Sequence, residues 1–200
     1  MLDGFAQEKR GTAVAVVGDD LPDLFITNAL GERRRVRRHT IMPDRFLVEL
    51  AVTASADPAE AIPRLVAMAQ ELTGATSAGL SILDSEAQPQ VFRWKHLHGV
   101  LANFEGTFTP RDYSPCGTTL DQGRPLLCKR PERYFKWVAE AGVSIAEVML
   151  VPLRWAAPDS SRGTLWVVAP GENYFDADDA RILEDVASFA AEALQRKTRG

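Results

Sequence analysis

Apolar residues recur at helical spacing in two long stretches of the chain. The first stretch follows Asp57 and Pro58, an acid that can cap a helix and a proline suited to a first turn, and it ends at Gly74. The second follows Asp176, with a wide apolar stripe over Ile182–Leu194. This pattern predicts two long helices, the first of them kinked or restarted at Pro63.

Between these helices the apolar residues alternate or run continuously, which is typical of β-strands. The predicted strands are Ser77–Leu83, Val91–Leu97, Arg124–Cys128, Glu147–Leu153 and Gly163–Ala169, with short helices over Gly117–Gln122 and Pro131–Ala141. Alternation in the second strand places Phe92, Trp94 and His96 on one face. The order of elements predicts an α+β fold, an antiparallel sheet with helices on one face and a ligand-side loop on the other.

The first forty residues lack a sustained period, since glycines interrupt every apolar run. We predict a poorly ordered tail over 1–40, a leading helix over 41–57 and the main domain over 58–197. The basic cluster Glu32–Arg38 is interpreted as a solvated helix start or linker. Contact with nucleic acid or anionic lipid is the alternative.

The composition narrows the class of protein. The 200 residues are 46% hydrophobic and 25% charged, with a formal net charge of -4, which argues against non-specific nucleic-acid binding. No apolar run approaches the roughly 20 residues of a membrane helix, and the N-terminus has no signal-peptide pattern. The two cysteines form no disulfide framework, so we expect a cytoplasmic protein that binds neither membrane nor nucleic acid.

The loop from Pro110 to Gly117 concentrates the polar chemistry of the chain. Cys116 lies at the start of a predicted short helix, a position that can lower the pKa of a thiol. A nucleophile also needs a base, and the sequence does not place His96 or His98 against this thiol. The alternative is a small buried hydrophobic side chain in a packed loop. The spacing of the histidines and cysteines fits no metal site, so none is predicted.

Aromatic side chains surround this loop, and several of them meeting at one place would form a small-molecule pocket. The candidate ligand-binding residues are Phe92, Trp94, His96, Phe104, Arg111, Asp112, Tyr113, Ser114, Cys116, Leu120 and Trp166. Each aromatic residue can also be core packing, and Arg111 and Asp112 can equally fasten the loop. No catalytic residue is assigned.

Seven motifs in order resemble the GAF domain, in particular the GAF module of bacterial sensor histidine kinases of the HWE type and of phytochrome-like photoreceptors. They are Ala78–Ile82, Val91–Trp94, Pro110–Gly117 with Leu120-Asp121, Pro131–Phe135, Glu147–Pro152, Gly163–Val168 and Phe175–Asp179. The resemblance covers residues from about 58 to 196 and implies a five- or six-stranded antiparallel sheet. It also implies first and last helices that pack together away from the cavity and commonly dimerise, a role suited to the stripe over Ile182–Leu194.

GAF domains bind cyclic nucleotides, bilins, haem or small metabolites, and some bind nothing. GAF enzymes that reduce free methionine sulfoxide use three cysteines, whereas this sequence has none near Gly106 or Glu140. Bilin-binding members attach the chromophore to a cysteine often followed by histidine, or to one upstream of the domain. Here Gly117 follows Cys116, and residues 1–115 contain no cysteine, so covalent bilin binding is not expected.

We therefore expect a non-enzymatic, homodimeric sensory module that binds a small ligand. Cyclic nucleotide, haem or a metabolite are the cofactors left open by the resemblance. No kinase sequence follows Leu194, so the output is expected to pass to a separate signalling protein, such as a histidine kinase or response regulator. The alternatives are a thiol-based redox enzyme or sensor using Cys116, and a ligand-free dimerisation scaffold.

Overall fold

The structure is a computed structural model that describes residues 23–34, 43–155 and 162–199. Within these ranges the α-helices are α1 (Ala29–Glu32), α2 (Pro43–Ser55), α3 (Pro58–Thr73), α4 (Pro115–Gln122), α5 (Lys136–Glu140) and α6 (Ala177–Arg199). The strands are β1 (Ser77–Asp84), β2 (Val91–Gly99), β3 (Phe108–Pro110), β4 (Leu126–Lys129), β5 (Glu147–Pro152) and β6 (Gly163–Val168). Short 3-10 helices span Ala102–Phe104 and Pro131–Arg133.

The six strands form one antiparallel sheet in the order β3-β2-β1-β6-β5-β4. The predicted α+β class is therefore confirmed. Strand β3 was not predicted, because its three residues are too few to show a period of two. The segment predicted as one helix over Pro131–Ala141 is instead the 3-10 turn followed by the separate helix α5.

The two long helices begin and end where their capping residues predict. At α3, Asp57 Oδ1 accepts a hydrogen bond from the backbone N–H of Ala59 at 2.8 Å, and Gly74 ends the helix in the left-handed conformation with φ 63°. The helix is continuous through Pro63, so the predicted restart is not observed. The carbonyl that loses its helical partner belongs to Ala59, whose exposure allows water to bind it.

At α6, Asp176 and Asp179 cap each other. The Asp179 backbone N–H donates to Asp176 Oδ1 at 3.2 Å, and the Asp176 N–H donates to Asp179 Oδ2 at 2.9 Å. This reciprocal pair is a capping box with aspartate in the position where glutamate is more usual. The sequence prediction for the start of this helix holds.

Two apolar layers lie on opposite faces of the sheet. One layer joins the sheet to α3 and α6, which also pack against each other, and the other lies on the loop side. The α6 stripe belongs to the first layer, since Leu183, Val186, Ala190 and Ala193 are fully buried within this single chain. Most of that stripe therefore belongs to the subunit's own core, whereas Ile182, Phe189 and Leu194 at its margin are half-buried.

Residues 23–34, here called the N-terminal strap, pack along β4 at the edge of the sheet. Ile26 N–H donates to the Leu127 carbonyl at 2.9 Å, Lys129 N–H donates to the Leu24 carbonyl at 2.8 Å, and Leu127 N–H donates to Thr27 Oγ1 at 3.1 Å. Leu24 is fully buried. These residues do not form the predicted tail, because they satisfy backbone groups that an edge strand would otherwise expose. Residues 1–22 and 35–40 lie outside the described residues.

The strap ends in a buried ion pair between Arg33 and Glu147. Arg33 donates to both carboxylate oxygens, from Nη2 to Oε1 at 2.7 Å and from Nη1 to Oε2 at 2.9 Å, and the Glu147 side chain is 0% exposed. The same carboxylate accepts the backbone N–H groups of Asn173 at 2.8 Å and Tyr174 at 3.2 Å. For Arg33 the prediction of a solvated basic cluster is wrong, whereas Arg34 is exposed.

Candidate ligand pocket

A cavity of about 50 Å³ lies between the loop-side face of the sheet and the segment that contains α5. Strands β5 and β6 place alternate residues toward it, so that Val148, Leu150, Trp166 and Val168 line it while their neighbours face α3 and α6. The other lining residues are Trp94, Leu101, Phe104, Pro115, Cys116, Pro131, Trp137, Val138, Ala141, Val143 and Ile145. All of them are uncharged.

A β-bulge in β2 changes which residues face the cavity. Residues 96 and 97 together oppose the β1 position between Ala78 and Leu80, and His96 adopts the left-handed conformation with φ 55°. Beyond the bulge Leu97 joins Phe92 in the loop-side apolar layer, with Trp94 packed against it. The prediction that His96 shares a face with Phe92 and Trp94 is wrong, and His96 does not line the cavity.

Charged groups outside the cavity act on His96. Burial lowers the pKa of His96, and the charge of Lys197 acts in the same direction, while Glu105 opposes the shift. Glu105 fixes the bulge through its carboxylate, which accepts the backbone N–H groups of His96 at 2.9 Å and Leu97 at 2.7 Å.

The loop Pro110–Gly117 leads into α4 through a side-chain cap. Ser114 Oγ accepts the Gly117 N–H at 3.1 Å, and Pro115 occupies the first turn. A Cβ atom at Gly117 would lie 2.0 Å from the Arg111 carbonyl oxygen, so the close approach of the loop to α4 requires glycine. Ser114 therefore has a structural role as the helix cap and does not line the cavity.

Arg111 fastens the same loop to α4. It pairs with Asp121, with one contact from Nη1 to Oδ2 at 3.3 Å and a second from Nη2 to Oδ1, while Asp112 lies 3.8 Å away. The Asp121 carboxylate raises the pKa of Arg111 and burial opposes that shift. Neither Arg111 nor Asp112 lines the cavity, so of the two roles left open by the sequence the structure shows loop fastening.

Tyr113 connects the loop to the segment Pro131–Ile145, which forms the outer wall of the cavity. Its hydroxyl donates to the Tyr134 carbonyl, and its own carbonyl accepts the indole N–H of Trp137 at 3.0 Å. The rings of Tyr113 and Phe135 also meet edge to face at 5.3 Å. One tyrosine and its backbone therefore attach the outer wall to the loop that leads into α4.

Three tryptophans and Phe104 form the aromatic part of the cavity wall. The Trp94 ring lies 5.3 Å from Trp166 and 6.2 Å from Trp137, measured between ring centroids. Trp166 donates its indole N–H to Ser81 Oγ at 3.1 Å and packs on Gly79, where a Cβ atom would lie 2.4 Å from the ring. By contrast, the Trp94 Nε1 atom is buried and has no hydrogen-bond partner among the described residues.

Both cysteines are buried free thiols. Burial raises the pKa of Cys116, although the nearby hydroxyl groups of Ser81 and Thr164 oppose the change. Burial also raises the pKa of Cys128 well above its ordinary value, with Glu132 and Cys116 adding to the effect. The expected lowering of the Cys116 pKa at a helix start is wrong, because loss of hydration outweighs the effect of the short helix.

The structure thus brings together only part of the candidate set at the cavity. Trp94, Phe104, Cys116 and Trp166 line it. Others pack in the surrounding apolar layer, namely Phe92, Tyr113 and Leu120. The wall that follows β4, including Trp137 and Ile145, was not predicted, because that segment has no regular period. Strict alternation within β5 does indicate Val148 and Leu150.

Among the described residues, no group of three potential metal-ligating side chains lies close enough to hold a metal ion. In the same part of the chain, no helix combines the length and the apolar character needed to cross a membrane.

The sequence matches the family model described as the GAF domain over residues 55–195. The chain belongs to the GAF domain family. Its antiparallel sheet, flanking helices and loop-side cavity are the features that the sequence resemblance implied. A search of curated proteins by sequence finds no significant match.

Several solved structures share this fold at low sequence identity. The GAF domain of a phosphoenolpyruvate-protein phosphotransferase from Coxiella burnetii aligns with a TM-score of 0.66 and 15% identity, over 78% of this chain and 95% of that one. Free methionine-R-sulfoxide reductase from Neisseria meningitidis, solved with its substrate, aligns with a TM-score of 0.63 and 18% identity, over 80% of this chain and 96% of that one. The GAF-B domain of DevS from Mycobacterium smegmatis aligns with a TM-score of 0.56 and 23% identity, over 72% of this chain and 96% of that one.

Proposed function

We propose that this GAF domain is a non-enzymatic sensory module that binds one small molecule in the cavity beside Trp94. The observation that carries the proposal is the cavity itself, an apolar space walled by three tryptophans and closed by a short, irregular segment. Ligand pockets in proteins are concave and mostly apolar, with a few polar groups that fix orientation.

The sheet offers a direct mechanical link from this cavity to the helices. Along β5 and β6, Val148 and Trp166 line the cavity while Met149 and Val167 pack in the layer shared with α3 and α6. A ligand that moves the first pair shifts the packing of the second, since close-packed interiors transmit displacement. Binding changes the signalling state only to the extent that the two states differ in ligand affinity.

The output surface that we propose is a homodimer formed through α2. Leu47, Val48 and Val52 on this helix are 43%, 62% and 68% exposed, whereas most of the apolar stripe of α6 is buried. GAF domains commonly dimerise through such terminal helices, and a histidine kinase or response regulator would read the dimer geometry. Light scattering on wild type and on Val48→Glu/Val52→Glu tests this, with loss of a wild-type dimer as the expected result and an unchanged mass as the contrary one.

Thiol redox chemistry at Cys116 is the competing function. It has support from the fold shared with a methionine sulfoxide reductase, but burial and a raised pKa both disfavour the thiolate that such chemistry requires. Two buried free thiols also fit a reducing, cytoplasmic compartment. We expect Cys116→Ser to retain ligand response, and loss of an oxidant-dependent activity in that variant would favour the enzyme.

A thermal-shift screen of the full chain tests the sensory proposal. The panel contains small neutral hydrocarbons, ketones and aromatics, cyclic AMP, hemin, biliverdin and methionine, because binding to the folded state raises the melting temperature by mass action. We expect at least one class to stabilise wild type in a dose-dependent way. If no class does so, the ligand-free scaffold is the better account.

A further inference from the structure

The wall of the cavity is apolar throughout. Among the described residues, every side chain that lines it is uncharged, and together they present no polar surface to the cavity. The indole N–H of Trp137 donates to the Tyr113 carbonyl, and that of Trp166 donates to Ser81 Oγ. The Trp94 Nε1 atom is buried and adds no polar surface either. A molecule in the cavity therefore meets only apolar surface.

Such a wall excludes water as well as polar ligands. A buried water needs several polar partners, and cavities without them remain dry. A carbonyl, hydroxyl or charged group would lose its hydration on entry with nothing to replace it. Nucleotides, amino acids, alcohols and ketones therefore fit the wall poorly. A molecule without hydrogen-bonding groups loses no such bond and leaves water with a gain in free energy.

The size of the cavity limits the ligand to a few heavy atoms. Its volume is about 50 Å³, on a scale where one water needs about 10–15 Å³. An apolar cavity of about 150 Å³ engineered into another protein holds benzene. The volume here therefore suits about four heavy atoms. Cyclic nucleotides, haem and bilins would each require the outer wall to be displaced.

The cavity approaches the protein surface at the turn that follows α5. Ala141 lines the cavity and is also exposed, and Val143 lines it and is half-buried. Gly142 lies between them in the left-handed conformation with φ 70°, and a Cβ atom there would meet open space. This turn gives a small molecule a short path from solvent, which a void sealed within the core would lack.

We propose that the cavity binds a short hydrocarbon of about four heavy atoms, held by the hydrophobic effect and dispersion without any hydrogen bond. The proposal rests on the cavity's role as the ligand site and names the ligand class. So few atoms can supply only a limited free energy of binding, so we expect a dissociation constant in the millimolar range.

A matched pair of ligands tests the ligand class. Isobutene and acetone have nearly the same shape and the same number of heavy atoms, but acetone carries a carbonyl oxygen where isobutene has a methylene group. Titration of the full chain, followed by proton-nitrogen correlation spectra in sealed tubes, gives both dissociation constants. We expect isobutene to bind saturably and acetone to bind at least about thirty-fold more weakly, the low end of the cost of burying an unbonded polar group.

A matched pair of variants tests the place of binding. Val148→Ile adds one methylene group to the cavity side of β5, and Val151→Ile adds the same group to the side that faces the helices. We expect Val148→Ile to weaken isobutene binding by about four-fold or more, the equivalent of one buried methylene, and Val151→Ile to leave it unchanged. If Val148→Ile fails to fold, nuclear Overhauser contacts in wild type between isobutene and the methyl groups of Val148 and Ile145 serve instead.

The outcomes separate this inference from the sensory proposal. Acetone binding as tight as that of isobutene overturns the apolar ligand class. Isobutene binding that Val148→Ile leaves unchanged, or contacts only with residues outside the cavity, overturns the assignment to this cavity. Saturable binding of cyclic AMP, hemin, biliverdin or methionine with no isobutene binding overturns the ligand class but supports a sensory domain. Absence of binding by every one of these probes overturns both.

Discussion

Replacing Arg33 with alanine should destabilise the domain far more than replacing the adjacent Arg34. The Arg33 guanidinium bonds both oxygens of Glu147 and the carbonyl of Phe175, while Arg34 is exposed. Both substitutions remove one positive charge from neighbouring positions. Their difference therefore isolates the buried contacts of the N-terminal strap.

The magnitude follows from the burial of Glu147. Removing one partner of a buried ion pair typically costs about 3–5 kcal/mol, because the remaining charge is left without compensation. Here the carboxylate keeps the N–H groups of Asn173 and Tyr174, and the Arg33 side chain is 13% exposed, so water can partly replace it. We expect Arg33→Ala to lower the free energy of unfolding by about 3 kcal/mol, and Arg34→Ala to stay within about 0.5 kcal/mol of wild type.

Urea unfolding followed by tryptophan fluorescence and circular dichroism measures both values. A loss of 3 kcal/mol corresponds to a fall in melting temperature of about 6–12 °C for a domain of this size. In a Glu147→Gln background the cost of Arg33→Ala should shrink, because the unpaired carboxylate charge is gone. Equal stabilities of Arg33→Ala and Arg34→Ala would refute the buried pair and the attachment of the strap.

Three further substitutions test the site and its supports. Gly79→Ala should destabilise by about 1–3 kcal/mol and move the Trp166 fluorescence, since its Cβ would overlap the ring, whereas Gly31→Ala, with open space around it, should not. His96→Gly should stabilise by up to about 1 kcal/mol in urea unfolding, because glycine adopts positive φ without strain. The free energy of unfolding should fall as pH rises above about 8.5, and Cys128→Ala should flatten that slope by up to about 1.4 kcal/mol per pH unit.

The sign of the pH effect follows from the thiol in each state. Burial raises the pKa of Cys128, so the unfolded chain releases its proton first and gains stability relative to the fold as pH rises. A steeper slope in Cys128→Ala would contradict this. If Gly79→Ala left the free energy of unfolding unchanged, the result would contradict the packing of Trp166 on Gly79. If His96→Gly lowered the free energy of unfolding, the result would contradict the strained backbone described at the bulge.

The parts of the fold that the sequence predicted are those set by local interactions. Helix caps at Asp57 and Asp176 and the stop at Gly74 act within a few residues, so their positions can be read from the sequence. The longer strands were predicted because alternation or continuous apolar runs persist for six residues or more, as in β5 and β6, and β4 was predicted from a shorter apolar run. The shorter β3 gave no such signal.

The parts that the sequence did not predict depend on contacts distant along the chain. The bulge at His96 reverses the alternation of β2, and its acceptor Glu105 lies beyond the end of that strand. The strap acquires its place from β4 and from Glu147, which lie a hundred residues or more away along the chain. Without these contacts Arg33 looks like any other solvated arginine, and the site prediction includes a histidine that faces elsewhere.

The most direct test of the sensory pocket is to identify which tryptophans a small neutral ligand perturbs. The four tryptophans each give one indole N–H signal in a proton-nitrogen correlation spectrum, and three of them line the cavity. On titration with isobutene, we expect the signals of Trp94, Trp137 and Trp166 to move saturably while that of Trp155 stays fixed. Movement of Trp155 alone, or of no indole signal at saturating ligand, would contradict a ligand site in this cavity.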